Sequence, residues 1–273
     1  MINLNRVAFT IFGVDVYYYG LIIAFALFAC IISSIILCKV KKISLSTPLE
    51  VFLAIIPAGF LFARLFSVIF EDGLTIVDFF NFRTGGMSII GAIIGGAIGI
   101  VVYKLITKQK YLHIADIVTS VLFLGQSIGR WGNYFNDEIY GQEVVNEAMQ
   151  VFPISVQING TWYEALFFWE SMLTLIGFIA LVIVFVKTKK TGLVTGIYFT
   201  YYGIVRLILE SRRQAEYILK WGNVPVSSLL SALFIVVGLA IIIYLIVSSK
   251  KTKKEKIVGR EEVHQSWVRR ICN

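Results

Sequence analysis

Seven apolar runs, each close to the twenty or so residues that cross a bilayer, leave this chain little choice of fold. They cover residues 17–38, 49–70, 85–106, 112–129, 165–187, 192–210 and 226–248. In hydrocarbon every backbone N–H and C=O has to be satisfied by the chain itself, and apolar runs of this length do so as helices. The fourth run is weakened by Asp116 and Gln126, and the sixth is short and ends in polar residues. The expectation is an all-α, polytopic transmembrane helical bundle of about seven spans. Composition agrees: 58% of the residues are hydrophobic and 15% charged, where ordinary globular chains carry roughly 25% charge.

The lysines orient the bundle. Lys39, Lys41 and Lys42 follow the first span, Lys104, Lys108 and Lys110 the third, Lys187, Lys189 and Lys190 the fifth, and a tail from Lys250 to Lys256 the seventh. Cationic loops stay in the cytoplasm, so the N-terminus is expected outside and the C-terminus inside. The chain then divides into a transmembrane domain, residues 1–249, and a basic cytoplasmic tail, residues 250–273, solvated or lying on anionic lipid. The net charge of +8 is a topology signal; no soluble module with interleaved bases and aromatics points to nucleic acid. Cys30, Cys38 and Cys272 have no metal-type spacing and read as packing residues. The first run reads as a permanent span, because it lacks a cleavable-signal pattern. No inverted repeat of the transporter kind is visible.

Charge inside a membrane is costly and marks function by default. Arg64 lies near the outer end of the second span, where it either snorkels or lines a polar cavity. Arg83 precedes a glycine-rich start to the third span, in which Gly85 and Gly86 sit at the outer mouth and Gly91 to Gly96 suit close helix packing. The stretch GRWGNYFNDEIYG, Gly129 to Gly141, places Arg130, Asn133, Asn136, Asp137 and Glu138 at the outer end of the fourth span. Its Trp131, Tyr134 and Phe135 are poor choices for a solvent loop. Arg206, Glu210 and Arg213 recur at i, i+4 and i+7, one stripe of a helix. Glu170 opens the fifth span, and Tyr17, Tyr18 and Tyr19 open the first at the same level. Several arginines with a few carboxylates and amides at one membrane face suit a phosphate-bearing ligand at headgroup depth. The histidines, His113 and His264, fall on the cytoplasmic side, and no metal constellation is formed.

LGQSIGRWGNYFNDEIYG, Leu124 to Gly141, closely resembles the signature of bacterial prolipoprotein diacylglyceryl transferases, with Gly129, Arg130, Gly132, Asn133, Asn136, Glu138 and Gly141 in matching places. Other elements agree in order: Tyr19-Gly20, the Arg64 of ARL, the GGMS run, the Glu170 of FFWES, and the Arg206, Glu210, Arg213 stripe. The resemblance covers about residues 7 to 247. It implies an enzyme of the bacterial cytoplasmic (inner) membrane, its site facing the outer leaflet. Such enzymes move the diacylglyceryl group of phosphatidylglycerol to the lipobox cysteine thiol of a prelipoprotein, and glycerol phosphate leaves. That is the first step of lipoprotein maturation. No metal or soluble cofactor is implied, and no oligomeric state. The partners are membrane lipid, phosphatidylglycerol and a prelipoprotein signal peptide.

The roles this implies are as follows. Arg130 and Arg206 bind the phosphate and stabilise the leaving group. Glu138 and Glu210 hold arginines in register, Glu138 facing Arg130. Asn133 and Asn136 contact headgroup oxygens or orient Arg130. Tyr19, Arg64, Gly85, Gly86, Glu170 and Arg213 line the substrate site. The sequence departs from the pattern at Ile90, where relatives place a histidine or a tyrosine, and at Ala165-Leu166-Phe167, where they place His-Pro-Thr. With no titratable group at 90, either the arginine field generates the thiolate with Glu138, Tyr19 or water as the proton acceptor, or this copy is impaired. Two other readings use the same arginines: a transporter for a small anion, and a non-catalytic paralogue that binds lipid. A transporter requires charge through the depth of several spans, whereas here it clusters at the outer end.

Overall fold

A computed structural model describes residues 6–70, 73, 75–81, 86–136, 138, 140–214, 218, 220–221 and 224–271, with backbone alone at 220–221, 224 and 250–271. Eight α-helices follow in order: α1 (Tyr18–Val40), α2 (Ser46–Phe70), α3 (Ile89–Thr107), α4 (Tyr111–Gly129), α5 (Trp131–Asn136), α6 (Leu166–Lys187), α7 (Leu193–Glu210) and α8 (Val226–Ile271). Seven helical segments are long and apolar enough to cross a membrane, α4 and α5 counting as one from Tyr111 to Asn136. The expected polytopic helical bundle is the fold, and most span limits fall within a few residues of those read from hydropathy.

Three features differ from the sequence reading. The fourth span does not stop at Gly129: Arg130 keeps right-handed helical dihedrals and the helix runs on through α5. Half of the polar patch is therefore helix, not loop. Second, the connections carry small antiparallel hairpins: β1 (Val7–Ile11) with β2 (Val14–Tyr17), β3 (Ser155–Ile158) with β4 (Thr161–Glu164), and β5 (Lys220–Trp221) with β6 (Val224–Pro225). The first two turn at Phe12-Gly13 and Asn159-Gly160, both residues of each pair at positive φ, which is the backbone that matches strand twist in a two-residue turn. Third, α8 passes unbroken from the seventh span into the basic tail as far as Ile271.

α4 is the hub, touching α1, α2, α3, α6 and α7. It can be central because its polar residues are satisfied by neighbours instead of lipid. Ser127 Oγ lies 3.1 Å from Ser171 Oγ, and Ser171 Oγ also donates to the Ser127 carbonyl at 2.8 Å. Asp116 accepts from Gly192 N (2.6 Å), Thr195 N (2.9 Å) and Thr195 Oγ1 (2.7 Å), and so caps α7 from a neighbouring helix. Around this hub Ile117, Val121, Phe123, Leu181, Phe185, Val194 and Tyr198 form the main apolar core.

The outer pairs use small residues instead. On α3, Gly91, Gly95 and Gly99 face α2 so closely that a Cβ on them would lie 2.3, 2.3 and 2.6 Å from the carbonyl oxygens of Phe62, Ala58 and Ala54. This is backbone-to-backbone packing of the small-xxx-small kind, the purpose expected of this glycine run. α7 and α8 repeat it at Gly196, Gly203 and Gly238. The up-and-down order puts the α1–α2, α3–α4 and α6–α7 turns, with their lysines, at one end. α5, the hairpins, the N-terminus of α6 and the C-terminus of α7 lie at the other.

Candidate active site

At that second end, charges from three helices join in an alternating chain. Arg130, where α4 passes into α5, meets Glu170 Oε1 at 2.6 Å. Arg206 reaches Glu170 Oε2 and Glu210 Oε2, each at 3.2 Å. Arg213 reaches Glu210 Oε2 at 3.3 Å. Glu170 and Glu210 are buried, and the three arginines keep a small exposed fraction. Three guanidinium groups share two carboxylates, so the chain carries one positive charge in excess. Burial, then repulsion from Arg206, lowers the Arg213 guanidinium from its ordinary value, and Glu210 opposes this. Added negative charge would relieve that strain. Buried Gln126 Oε1, Glu210 Oε1 and Arg213 Nε have no hydrogen-bond partner among the described residues, so polar capacity is left at the centre.

The backing of this chain is aromatic. Arg130 also donates to the Tyr202 hydroxyl. Tyr202 stacks on Tyr198 (5.9 Å, 18°), and Tyr198 packs on Phe123 at 4.6 Å. Gln126 Nε2 donates to the Tyr198 hydroxyl at 2.9 Å. Tyr202, Tyr198 and Gln126 were not singled out for the site from sequence. The available cue was that Tyr202 stands one helical turn before Arg206, and Gln126 one turn before Arg130.

Beside the chain is a second cluster on α5. Asn133 and Asn136 both donate to Glu138 Oε1, at 3.1 and 3.3 Å. Tyr19 lies within electrostatic reach of both Glu138 and Arg130. Its ring lies over Gly132, where a Cβ would come within 2.6 Å of the ring edge. That contact is why the second glycine of the patch has no side chain. Trp131 and Tyr134 turn inward onto Phe167, and Trp131 Nε1 donates to Ser171 Oγ at 3.2 Å. Phe135 stacks on Tyr18 at 4.7 Å. The aromatics anchor the patch to α1 and α6 while its polar side chains form the site.

The placements differ from expectation in two respects. Arg130 is paired with Glu170 from α6, whereas Glu138, expected to face it, is held by the two asparagines. Arg64 is fully buried and turned to the backbone: it donates to the carbonyls of Gly86 (2.9 Å), Asp78 (2.5 Å) and Asn81 (2.7 Å). It ties a short 3-10 helix, Ile76–Phe80, and the approach to α3 onto α2. Gly86 sits at φ +77°, a backbone that favours glycine. Gly85, Arg83 and Asp137 lie outside the described residues, as do the side chains of His264 and Cys272. Ile90 occupies the first turn of α3, 37% exposed. Ala165, Leu166 and Phe167 are buried packing residues.

Beyond α7 the chain is tied back to the patch. Gly141 forms an isolated bridge with Arg213, and Arg212 pairs with Glu164 of β4. That pairing raises the Arg212 guanidinium above its ordinary value. Gly141 has no room for a Cβ, which would fall 2.7 Å from Glu164.

Known proteins resemble this chain over nearly its whole length. The sequence model of the prolipoprotein diacylglyceryl transferase family matches residues 6–244. A Clostridium botulinum (strain Langeland) phosphatidylglycerol–prolipoprotein diacylglyceryl transferase is 33% identical over 257 residues, covering 91% of this chain and 100% of the relative. A Clostridium perfringens (strain 13) protein of the same description, numbered 1, is 34% identical over 259 residues, covering 92% and 98%. A Clostridium kluyveri relative is 32% identical over 249 residues, covering 89% and 97%. With nearly its whole transmembrane part matched in this way, the chain belongs to the prolipoprotein diacylglyceryl transferase family.

Proposed function

We propose that this chain transfers the diacylglyceryl group of phosphatidylglycerol to the lipobox cysteine thiol of prelipoproteins. The observation that carries the reading is the buried Arg130–Glu170–Arg206–Glu210–Arg213 chain, one positive charge in excess, at one end of a membrane bundle. An anionic substrate that lives in the membrane needs its phosphate matched at headgroup depth. The lysine turns at the opposite end orient that end to the cytoplasm, which puts the N-terminus outside and the arginines at the outer leaflet of the bacterial inner membrane.

In the reaction the cysteine sulfur attacks the glycerol carbon that bears the phosphate ester. The carbon–oxygen bond breaks, its electron pair stays on the phosphate oxygen, and glycerol phosphate departs. Arg130 and Arg206 bind the phosphate and stabilise the charge that develops on it. Glu170 holds both guanidinium groups, one on each oxygen, and Glu210 sets Arg206 against Arg213. The attacking thiol must lose its proton, and at an ordinary pKa of about 8.5 only a few per cent is thiolate at neutral pH. Ile90 takes no proton. Glu138 takes it: among the described residues it is the carboxylate of this cluster outside the arginine chain, and Asn133 and Asn136 fix its aim. Arg64 and Gly86 shape the approach to the site from behind instead of touching lipid.

The test is turnover. Purified protein is given phosphatidylglycerol and a lipobox peptide, and thioether product and glycerol phosphate are measured together. Equimolar appearance of both is expected. Lipid binding without either product would make the chain a non-catalytic paralogue.

A further inference from the structure

We propose that the lysine-rich end of the bundle holds a second anion site, separate from the arginine chain, that takes a phosphate group. A cleft of about 180 Å3 opens there among α1, α4, α6 and the turn into α7. At roughly 30 Å3 for each water, it has room for one phosphate and a few waters and not for a whole lipid. Lys41, Lys189, Lys190 and His113 line it together with Asp116 and Phe185. α6 carries Glu170 near one end, and Thr188 of the cleft follows the other. At 1.5 Å per residue the two lie about 27 Å apart, so an anion here has no contact with the reaction centre.

One of the cations is held in place. Lys41 is half-buried, donates from Nζ to the Thr188 carbonyl, and sits 5.3 Å from the centre of the Phe185 ring. One of its three donors is used in this way. Lys190 N donates to Thr188 Oγ1 at 3.1 Å, which shapes the turn. The carboxylate in the cleft does not neutralise the lysines. Asp116 spends its oxygens on Gly192 N, Thr195 N and Thr195 Oγ1, and none of the described ion pairs includes Lys41, Lys189 or Lys190. Three lysines against one aspartate leave two positive charges in a walled cleft, before His113 is counted. Basic pockets between transmembrane helices take phosphate headgroups by this chemistry. The phosphate could be that of an anionic lipid in the adjacent leaflet or free phosphate, and the cleft offers the same contacts to each.

The test uses delipidated full-length protein in detergent, as wild type, as K41Q/K189Q/K190Q, and as K187Q, a lysine beside the cleft that does not line it. Native mass spectrometry reads retention of phosphatidic acid against phosphatidylcholine, and calorimetry reads inorganic phosphate. A fall in affinity of about fivefold for each lysine removed is expected, with K187Q like wild type and turnover unchanged. Loss of phosphatidic acid retention assigns a lipid headgroup; loss of phosphate binding alone assigns the free ion. Singly substituted K189Q and K190Q, on exposed side chains, carry the same fivefold expectation if the triple variant does not fold. Equal binding by wild type and variants, or an equal loss in K187Q, would overturn the site.

Discussion

Arg130 and Glu170 meet at 2.6 Å across the α4–α6 interface, and the second oxygen of the same carboxylate takes Arg206. One buried acid thus sets the separation of the two guanidinium groups that we propose bind the phosphate. Glu170→Gln keeps the shape but accepts on one oxygen and carries no charge. Breaking a buried pair costs about 3–5 kcal/mol, so a fall in thermal midpoint of several degrees and a loss of turnover of at least about a hundredfold are expected. Arg130→Lys keeps the charge and loses the fork. It should lower kcat far more than it lowers the melting midpoint; unchanged kcat would remove Arg130 from the phosphate contacts.

Glu138 can be separated from the arginines by pH. If it accepts the thiol proton, Glu138→Gln should cost about 10²–10⁴ in kcat at pH 7. The sign of the pH effect follows from the substrate. Above about pH 8.5 the thiol is already ionised in solution, and an acceptor adds little. The deficit should therefore shrink steadily from pH 7 to pH 9.5. A deficit that stays constant over that range would make Glu138 a positioning residue for Asn133 and Asn136.

Ile90→His tests the departure from the family pattern directly. The side chain is partly exposed in the first turn of α3, so a histidine fits without repacking. An imidazole with a pKa near 6.5 supplies a second acceptor at neutral pH. Turnover at pH 7 should rise, and Ile90→His should restore part of the activity lost in Glu138→Gln. No change in either background would place residue 90 away from the thiol.

What the sequence made legible follows from range. The spans depend on local hydropathy, and every one of the seven is found. That Arg130, Glu170, Arg206, Glu210 and Arg213 gather at one end of the bundle was also legible, because charge in a membrane is rare enough to be noticed one residue at a time. Pairing was not. Glu138 stands eight positions from Arg130 and Glu170 forty, yet Glu170 is the partner, since helix packing and not chain distance decides which side chains meet. Arg64 was read by depth alone, and its backbone partners lie on a loop whose path hydropathy does not encode. Tyr202 carries no charge and looked like any other aromatic of an apolar helix.

Arg64 is the case where lining and scaffolding give different outcomes. Arg64→Met removes the donors of three carbonyls while roughly keeping the volume. Each buried acceptor left unsatisfied costs about 1–3 kcal/mol, so a large fall in folded yield and melting midpoint is expected, with KM for phosphatidylglycerol little changed in the folded fraction. A selective rise in KM at unchanged midpoint would return Arg64 to the substrate site.

Two neighbouring glycines of α3 give the last contrast. A Cβ at Gly95 would lie 2.3 Å from the Ala58 carbonyl oxygen and 2.7 Å from Phe62 Cβ, so Gly95→Ala forces α2 and α3 apart. Overpacking of this kind costs about 1–3 kcal/mol. One position later, a Cβ at Gly96 meets only Ile55 Cγ2 at 3.5 Å, an ordinary contact. Gly96→Ala should gain up to about 1 kcal/mol of helix propensity. The pair is read by thermal melting in detergent, with turnover per folded molecule as the control. Gly95→Ala should melt well below wild type and Gly96→Ala at or above it, both with wild-type turnover. Equal midpoints would mean that α3 is not seated on α2 through this glycine face.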